Sequence, residues 1–380
     1  MKRGRSTIAK LLLAGSLAVT VAAVPEPANL IDVYATSNKP VIKSVGAIQE
    51  ELLAAMNDRQ STVRFAYQGE TKSLKSQLKD ALDQAMASDP YIHYTIASYS
   101  YDYHGTASAA NVTVQLSYRE TAEQTRYVDM RSAAILKSII KAGMNDHEKV
   151  KAIHDWVVLN LKYDTTLTKY TAYDGLYTGS TVCQGYSLLT HKLLKEAGIE
   201  NKIVEGTAYS PDNPKGQLHA WNLVLLDGKW YHMDTTWDDP VPDRPNEVSY
   251  TYYLRTDKQM GRDHTWVKSY PKADTLYRDT LSSLTRKDRA KAAVYKAIKQ
   301  DLEYHLYDAI AIVRSYKQLQ PLVKDAQAAK SRKLVFRYDG SENELVQTLQ
   351  QLQLKNNLGS IKYYHSAFED TDDLRVQIAW

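Results

Sequence analysis

Cys183 is the only cysteine among 380 residues, so no disulfide within the chain can employ it. It begins the run Cys-Gln-Gly-Tyr-Ser-Leu-Leu-Thr, in which Leu188, Leu189, Leu193 and Leu194 fall at helical spacing and Gly198 closes the segment. Cys183 therefore stands at a helix N-terminus, where unpaired backbone amides and the helix dipole favour an anion. A thiolate there can attack an acyl carbon. A free cysteine is also a common small core residue, so its surroundings must decide. Downstream, HAWNLVLL (219–226) reads as a strand, Asp227-Gly228 as a hairpin turn and KWYHMDTTW as the returning strand. Pairing about that turn brings Asp234 or Thr235 beside His219. A cysteine nucleophile, a histidine base and an aspartate that holds the imidazole form the logic of a catalytic triad. His232 is in phase with Asp234 and is a second candidate to face His219. A metal held by Cys183, His219, His232 and Asp234 is a competing reading of the same side chains. No second cysteine or close ligand pair supports it, and neither metal nor cofactor is expected.

These groups need elements to hold them. Two helices are expected upstream, over TAEQTRYVDMRSAAILKSIIKAG and DHEKVKAIHDWVVLNLKY, with Asn145 or Asp146 as a cap for the second. His154 and Asp155 on that second helix read as exposed or capping groups. A polar and aromatic loop, LTKYTAYDGLYTGST, leads to the cysteine. Tyr170, Tyr173, Tyr177, Trp221 and Trp237 either line a cleft or serve as packing. On the N-terminal side, a helix over 44–58, a strand over 61–69, a helix over 71–88 and two strands, YIHYTIASYSYDYH and NVTVQLSYRE, give a βαββ order, with Asp89-Pro90 stopping the second helix. The C-terminal end repeats it: KLVFRYDG, then SENELVQTLQQLQL as a helix, then SIKYYHSAF and LRVQIAW. FAYQG from Phe65 aligns with FRYDG from Phe336. Residues 286–318 read as a further helical stretch.

The N-terminus carries Lys2, Arg3, Arg5 and Lys10 before an apolar run from Leu11 to Val24, the pattern of a secretory signal. Cleavage after Ala35 or after Ala23 fits the small residues there; an uncleaved N-terminal anchor is the alternative. No later segment is apolar enough to span a membrane. The expected organisation is a signal peptide (1–35), an N-terminal module (36–125), a catalytic domain (126–285) and a C-terminal helix plus module (286–380). The formal net charge of +4 is too small to argue for nucleic acid. It permits weak attraction to an anionic wall.

The segments TVCQGYSLLTHKLLKEAGI, HAWNLVLLDGKWYHMDTTWDDP, KVKAIHDWVVLNLKYD and YYLRTDKQMGRDHTW resemble the transglutaminase-like superfamily over about residues 131–275, leaving out both βαββ modules. The resemblance implies an α+β, papain-like core: a helix carrying the cysteine, packed on an antiparallel sheet carrying the histidine and aspartate. It implies Cys183 as nucleophile, His219 as general base and acid, and Asp234 as its orienting group. The oxyanion would be held by the Cys183 amide and an upstream group, with Tyr163 and Trp156 as candidates. No acidic cluster matches the calcium sites of the animal enzymes, so no calcium requirement is expected. The implied activity is acyl transfer through a thioester. Hydrolysis of peptide or cell-wall amide bonds and a non-catalytic surface-binding role are the alternatives. The implied partners are proteins or peptides at the cell surface or wall.

Overall fold

Ser44 caps the first long helix by accepting the Ala47 amide at 3.2 Å, and Ile48, Leu52 and Met56, four residues apart, are its fully buried face. This helix belongs to the N-terminal module of the computed structural model, which describes residues 19–21, 40–241, 246–356, 358–369 and 371–380. The module runs β1 (Val19–Val21), β2 (Val41–Ile42), α1 (Val45–Asn57), β3 (Thr62–Gln68), α2 (Leu74–Ala87), α3 (Pro90–Thr95), β4 (Ile96–Gly105) and β5 (Ala109–Tyr118). Its sheet has the order β1-β4-β5-β3-β2, with β2 parallel to β3 and the β3, β5 and β4 pairs antiparallel. Of the expected signal peptide, only residues 19–21 are described, as a strand parallel to β4; both cleavage sites lie outside the described residues. Residues 91–95, expected as strand, are helical. Asp89 accepts the Tyr91 amide at 2.7 Å and Pro90 fills the first turn, so the dipeptide that ends α2 also starts α3.

The central region follows with α4 (Ala122–Ile139), α5 (Asp146–Asn160), β6 (Lys162–Tyr163), α6 (Ala172–Thr178), β7 (Ser180–Thr181), α7 (Cys183–Glu196), β8 (Asn201–Ser210), β9 (Asn213–Leu226), β10 (Lys229–Met233), α8 (Asp257–Met260), β11 (His264–Thr265) and α9 (Tyr277–Lys287). The segment expected as a loop before the cysteine contains α6, started by a capping box between Thr171 and Asp174. The hairpin turns at Asp227-Gly228, both with positive φ (50° and 74°), which suits the right-handed twist of β9 and β10. The sheet order is β10-β9-β8-β11, and α7 packs on β9. Leu188, Leu189, Leu193 and Leu194 are fully buried. Among the described residues no helix is long and apolar enough to cross a membrane.

The chain divides into two compact units, the first reaching Tyr277 and the second running Arg278–Trp380. In the second, the stretch expected as helix is broken: α10 (Ala292–Asp301) ends before Glu303, whose φ of 57° is left-handed, and short 3-10 turns lead on. Then come β12 (Ile312–Val313), α11 (Tyr316–Ala328), β13 (Lys333–Tyr338), α12 (Glu342–Lys355), β14 (Lys362–Ala367) and β15 (Leu374–Ala379), in the sheet order β12-β13-β15-β14. Strand β12 is parallel to β13 and the other pairs are antiparallel. The two βαββ modules are thus each larger than the sequence repeat, with one further parallel edge strand and one further helix ahead of it. From β2 to the end of β3 the counterparts lie at a constant offset of 271 residues: Ile42 and Val313, Ser44 and Ser315, Phe65 and Phe336, Tyr67 and Tyr338.

Candidate active site

Cys183 is the first residue of α7, after Val182 in extended conformation. Gly185 allows this helix end to seat: a Cβ there would collide with the Thr181 hydroxyl and the Thr171 carbonyl. The helix is then tied down. Ser187 donates its hydroxyl to the Cys183 carbonyl at 2.6 Å, and the Asn222 amide donates to the Ser187 carbonyl at 3.1 Å. Thr235, the other candidate partner for His219, instead meets Thr190 of α7 at 3.1 Å.

His219 lies on β9 opposite Gly206 of β8. Its Nε2 is 2.6 Å from Asp234 Oδ2, so Nδ1 is the nitrogen left for the thiol. The other oxygen, Oδ1, accepts the Thr236 and Trp237 amides at 2.9 and 3.2 Å. Cys183 and His219 are each 2% exposed and Asp234 is fully buried. Burial pulls the His219 imidazole down. The Asp234 charge, the Cys183 thiolate charge and hydrogen bonds to both outweigh it and push its pKa up to about 10. Burial pushes Asp234 up, but His219 and then His264 outweigh it and hold the carboxyl well below the usual range. The arrangement can hold a thiolate–imidazolium pair with a fixed carboxylate behind it.

Trp221 stacks on His219, with ring centres 5.9 Å and planes 22° apart. Its indole N–H donates to His232 Nδ1 at 2.8 Å, and His232 Nε2 meets Asp257 Oδ1 at 2.9 Å. His232 therefore supports the tryptophan and is turned away from His219. His154, expected at the surface, is fully buried between Asp155 and Asp238, each at 3.1 Å. Tyr163 sits on β6 near the thiol: burial, then the Cys183 and Asp164 charges, raise its phenol well above its ordinary value. Trp156, the other oxyanion candidate, is partly buried on α5, and its carbonyl accepts from Asn160. Tyr173 and Tyr177 stack at 5.2 Å and both meet Tyr127 edge-on, forming an aromatic cluster on α4 and α6.

Two residues join this site that the sequence reading missed. Tyr94, at the end of α3, accepts the Gln184 side-chain amide on its carbonyl at 3.2 Å and donates its hydroxyl to Glu205 at 2.7 Å. Gln184 follows Cys183, and Glu205 precedes the strand partner of His219, so Tyr94 spans the cysteine–histidine pair. Glu205 is further paired with Lys268. His264 of β11 brings Nε2 to 3.3 Å from Asp234 Oδ2. The ligand atoms of His219, Asp234 and His264 lie within 4.8 Å of one another, a grouping able to hold a metal ion; hydrogen bonding to Asp234 accounts for their approach. The Asp-Pro start of α3 was a readable signal for the first residue. The second had none, since a two-residue strand leaves no periodicity.

Residues 133–235 match the model of the transglutaminase-like superfamily. The chain is 28% identical over 149 residues to the kyphoscoliosis peptidase of Mus musculus, covering 36% of this chain and 20% of that protein. It is 28% identical over 163 residues to an uncharacterised protein of Mycobacterium leprae, covering 40% of this chain and 53% of the other. It therefore spans only a fifth to a half of these relatives' lengths. A solved TGase structure is 16% identical with a TM-score of 0.28, over 50% of this chain and 55% of that one. The helix bearing Cys183, the hairpin bearing His219 and Asp234, and the match over 133–235 make this region a transglutaminase-like superfamily domain.

Proposed function

We propose that the chain is an exported cysteine acyltransferase acting on proteins or peptides at the cell surface or wall. The Cys183 thiolate attacks a glutamine carboxamide or peptide carbonyl. The oxyanion is held by the Cys183 amide and the Tyr163 hydroxyl. His219 gives its Nδ1 proton to the departing ammonia or amine as the C–N bond breaks, leaving a thioester. An amine or water then attacks, His219 takes its proton, and the C–S bond breaks to release amide or acid. Asp234 stays ionised and keeps the imidazole aligned. The observation that carries this reading is the 2.6 Å bond from His219 to Asp234, with an imidazole raised to about 10 by the charges on both sides of it. The basic and apolar N-terminus supports export.

A second reading, hydrolysis of peptide or wall amides, is favoured by the name of the mouse relative, a peptidase. Incubation with a glutamine-containing protein and a labelled primary amine separates the two. Amine incorporation that is lost in Cys183→Ala supports the transferase. Cleaved peptide or released ammonia without incorporation supports the hydrolase. Absence of both, with Cys183 unreactive, leaves a surface-binding protein.

A further inference from the structure

Asp234 Oδ2 serves two imidazoles at once, and the acyl-transfer reading employs only one of them. His264 is fully buried, with Nε2 3.3 Å from that oxygen and Nδ1 2.6 Å from Asp263 Oδ1. Asp263 in turn accepts the Tyr252 hydroxyl at 2.7 Å. The side chain has no freedom to turn: Trp237 packs at 4.6 Å, Trp221 at 5.1 Å and Tyr252 at 5.3 Å, all near edge-on. The backbone is equally fixed. His264 pairs with Ala208, and the next residue, Thr265, with Thr207. Gly206 then permits the approach, since a Cβ there would run into the Thr265 carbonyl and the Trp221 ring. Gly206 is also the strand partner of His219. One glycine therefore lets the strand bearing His264 close over the pair formed by His219 and Asp234.

We propose that His264 is a positioning residue of this site: it fixes the Asp234 carboxylate in the orientation that His219 needs, and Asp263 with Tyr252 fixes His264. This rests on the acyl-transfer reading for its catalytic meaning, though not for its geometry. His264 touches no substrate; it acts through Asp234. The ionisable groups around the pair include His219, Asp263, Tyr252, His232, Asp238 and Tyr163.

The test is the pH profile of Cys183 alkylation by iodoacetamide in the wild type, His264→Ala and His264→Gln, with melting temperatures as a control. His264 helps keep Asp234 ionised, so its removal lets the carboxylate take up a proton at higher pH. In His264→Ala the acid limb should move to higher pH, and the loss of a fixed carboxylate behind His219 should lower the neutral rate about tenfold. His264→Gln places an amide donor where Nε2 stood and should restore most of both. An acid limb and rate in folded His264→Ala equal to the wild type would overturn the proposal. So would equal losses in the two variants accompanied by equal falls in melting temperature. The His219 Nε2 proton shared with Asp234, read by NMR, tests the geometry without any turnover. It should shift in His264→Ala and return in His264→Gln; an unmoved resonance contradicts the proposal. If that proton responds while wild-type Cys183 reacts no faster than an ordinary thiol, the positioning stands and the acyl-transfer reading falls.

Discussion

The N-terminal and C-terminal modules share their connectivity, their strand order and a constant 271-residue offset through the first strand–helix–strand unit. The shared positions are core positions: Ile48, Leu52, Phe65 and Tyr67 match Leu319, Val323, Phe336 and Tyr338, all buried. Even the turn after the first helix is kept, with Arg59 and Lys330 both left-handed at φ of 55° and 58°. Apart from the additional edge strand β1, the difference is one helix. Between its second helix and its next strand, the N-terminal module carries α3, while no helix stands between α12 and β14 among the described residues. Helix α3 carries Asp89, which pairs with Lys195 of the cysteine helix, and Tyr94, which spans Cys183 and His219. A repeated scaffold thus reaches the candidate active site through a single short helix, while its buried positions stay buried and apolar.

The largest effects should come from the core positions that the two modules share. Phe65→Ala and Phe336→Ala each remove a fully buried ring and should each cost about 3–5 kcal/mol, read by thermal unfolding. Only Phe65→Ala should also change the rate of Cys183 alkylation; an equal change in Phe336→Ala would break the comparison. The pH dependence of stability should differ between the units as well. His219 has a folded pKa near 10, above the free value of about 6.5. It therefore contributes stability that is complete below pH 6.5 and lost as pH rises towards 10. Calorimetry should show this loss in the first unit and not in the His219→Ala variant. Tyr94→Phe removes a hydrogen bond to a carboxylate, a bond of about 1.5–3 kcal/mol. With both reactive side chains 2% exposed, the loosened cover should speed alkylation of Cys183 about tenfold. The smallest pair is the caps, Asp89 of α3 and Ser341, whose hydroxyl accepts the Glu344 amide at the start of α12: Asp89→Ala and Ser341→Ala should each cost about 1 kcal/mol, with only the first altering the thiol's reactivity.

The arrangement of Cys183, His219 and Asp234 was legible because local signals fix it. Four leucines at helical spacing define α7, and Asp227-Gly228 fixes the hairpin turn, which brings Asp234 or Thr235 near His219; the family resemblance is what singled out Asp234. His264 was not legible, because its strand is two residues long and its position depends on Gly206 leaving room across the sheet. The inward turn of His232 towards Trp221, and the burial of His154 between two aspartates, are likewise set by tertiary packing. Helix α3 was hidden by a signal with two meanings, since Asp-Pro ends one helix as readily as it begins another. The upstream half of the repeat was missed because its identities are sparse: Ser44 with Ser315 survives on the surface, while the core positions vary among Ile, Leu and Val.

The most direct test of the account is the rate of Cys183 alkylation between pH 5 and pH 10 in the wild type and in His219→Ala. The account predicts a wild-type rate at pH 6–7 at least about tenfold above that of the variant, with the two converging at high pH where the imidazole no longer carries its proton. Slow reaction at neutral pH in both, with no difference between them, would contradict a cysteine–histidine pair and leave Cys183 as a core residue.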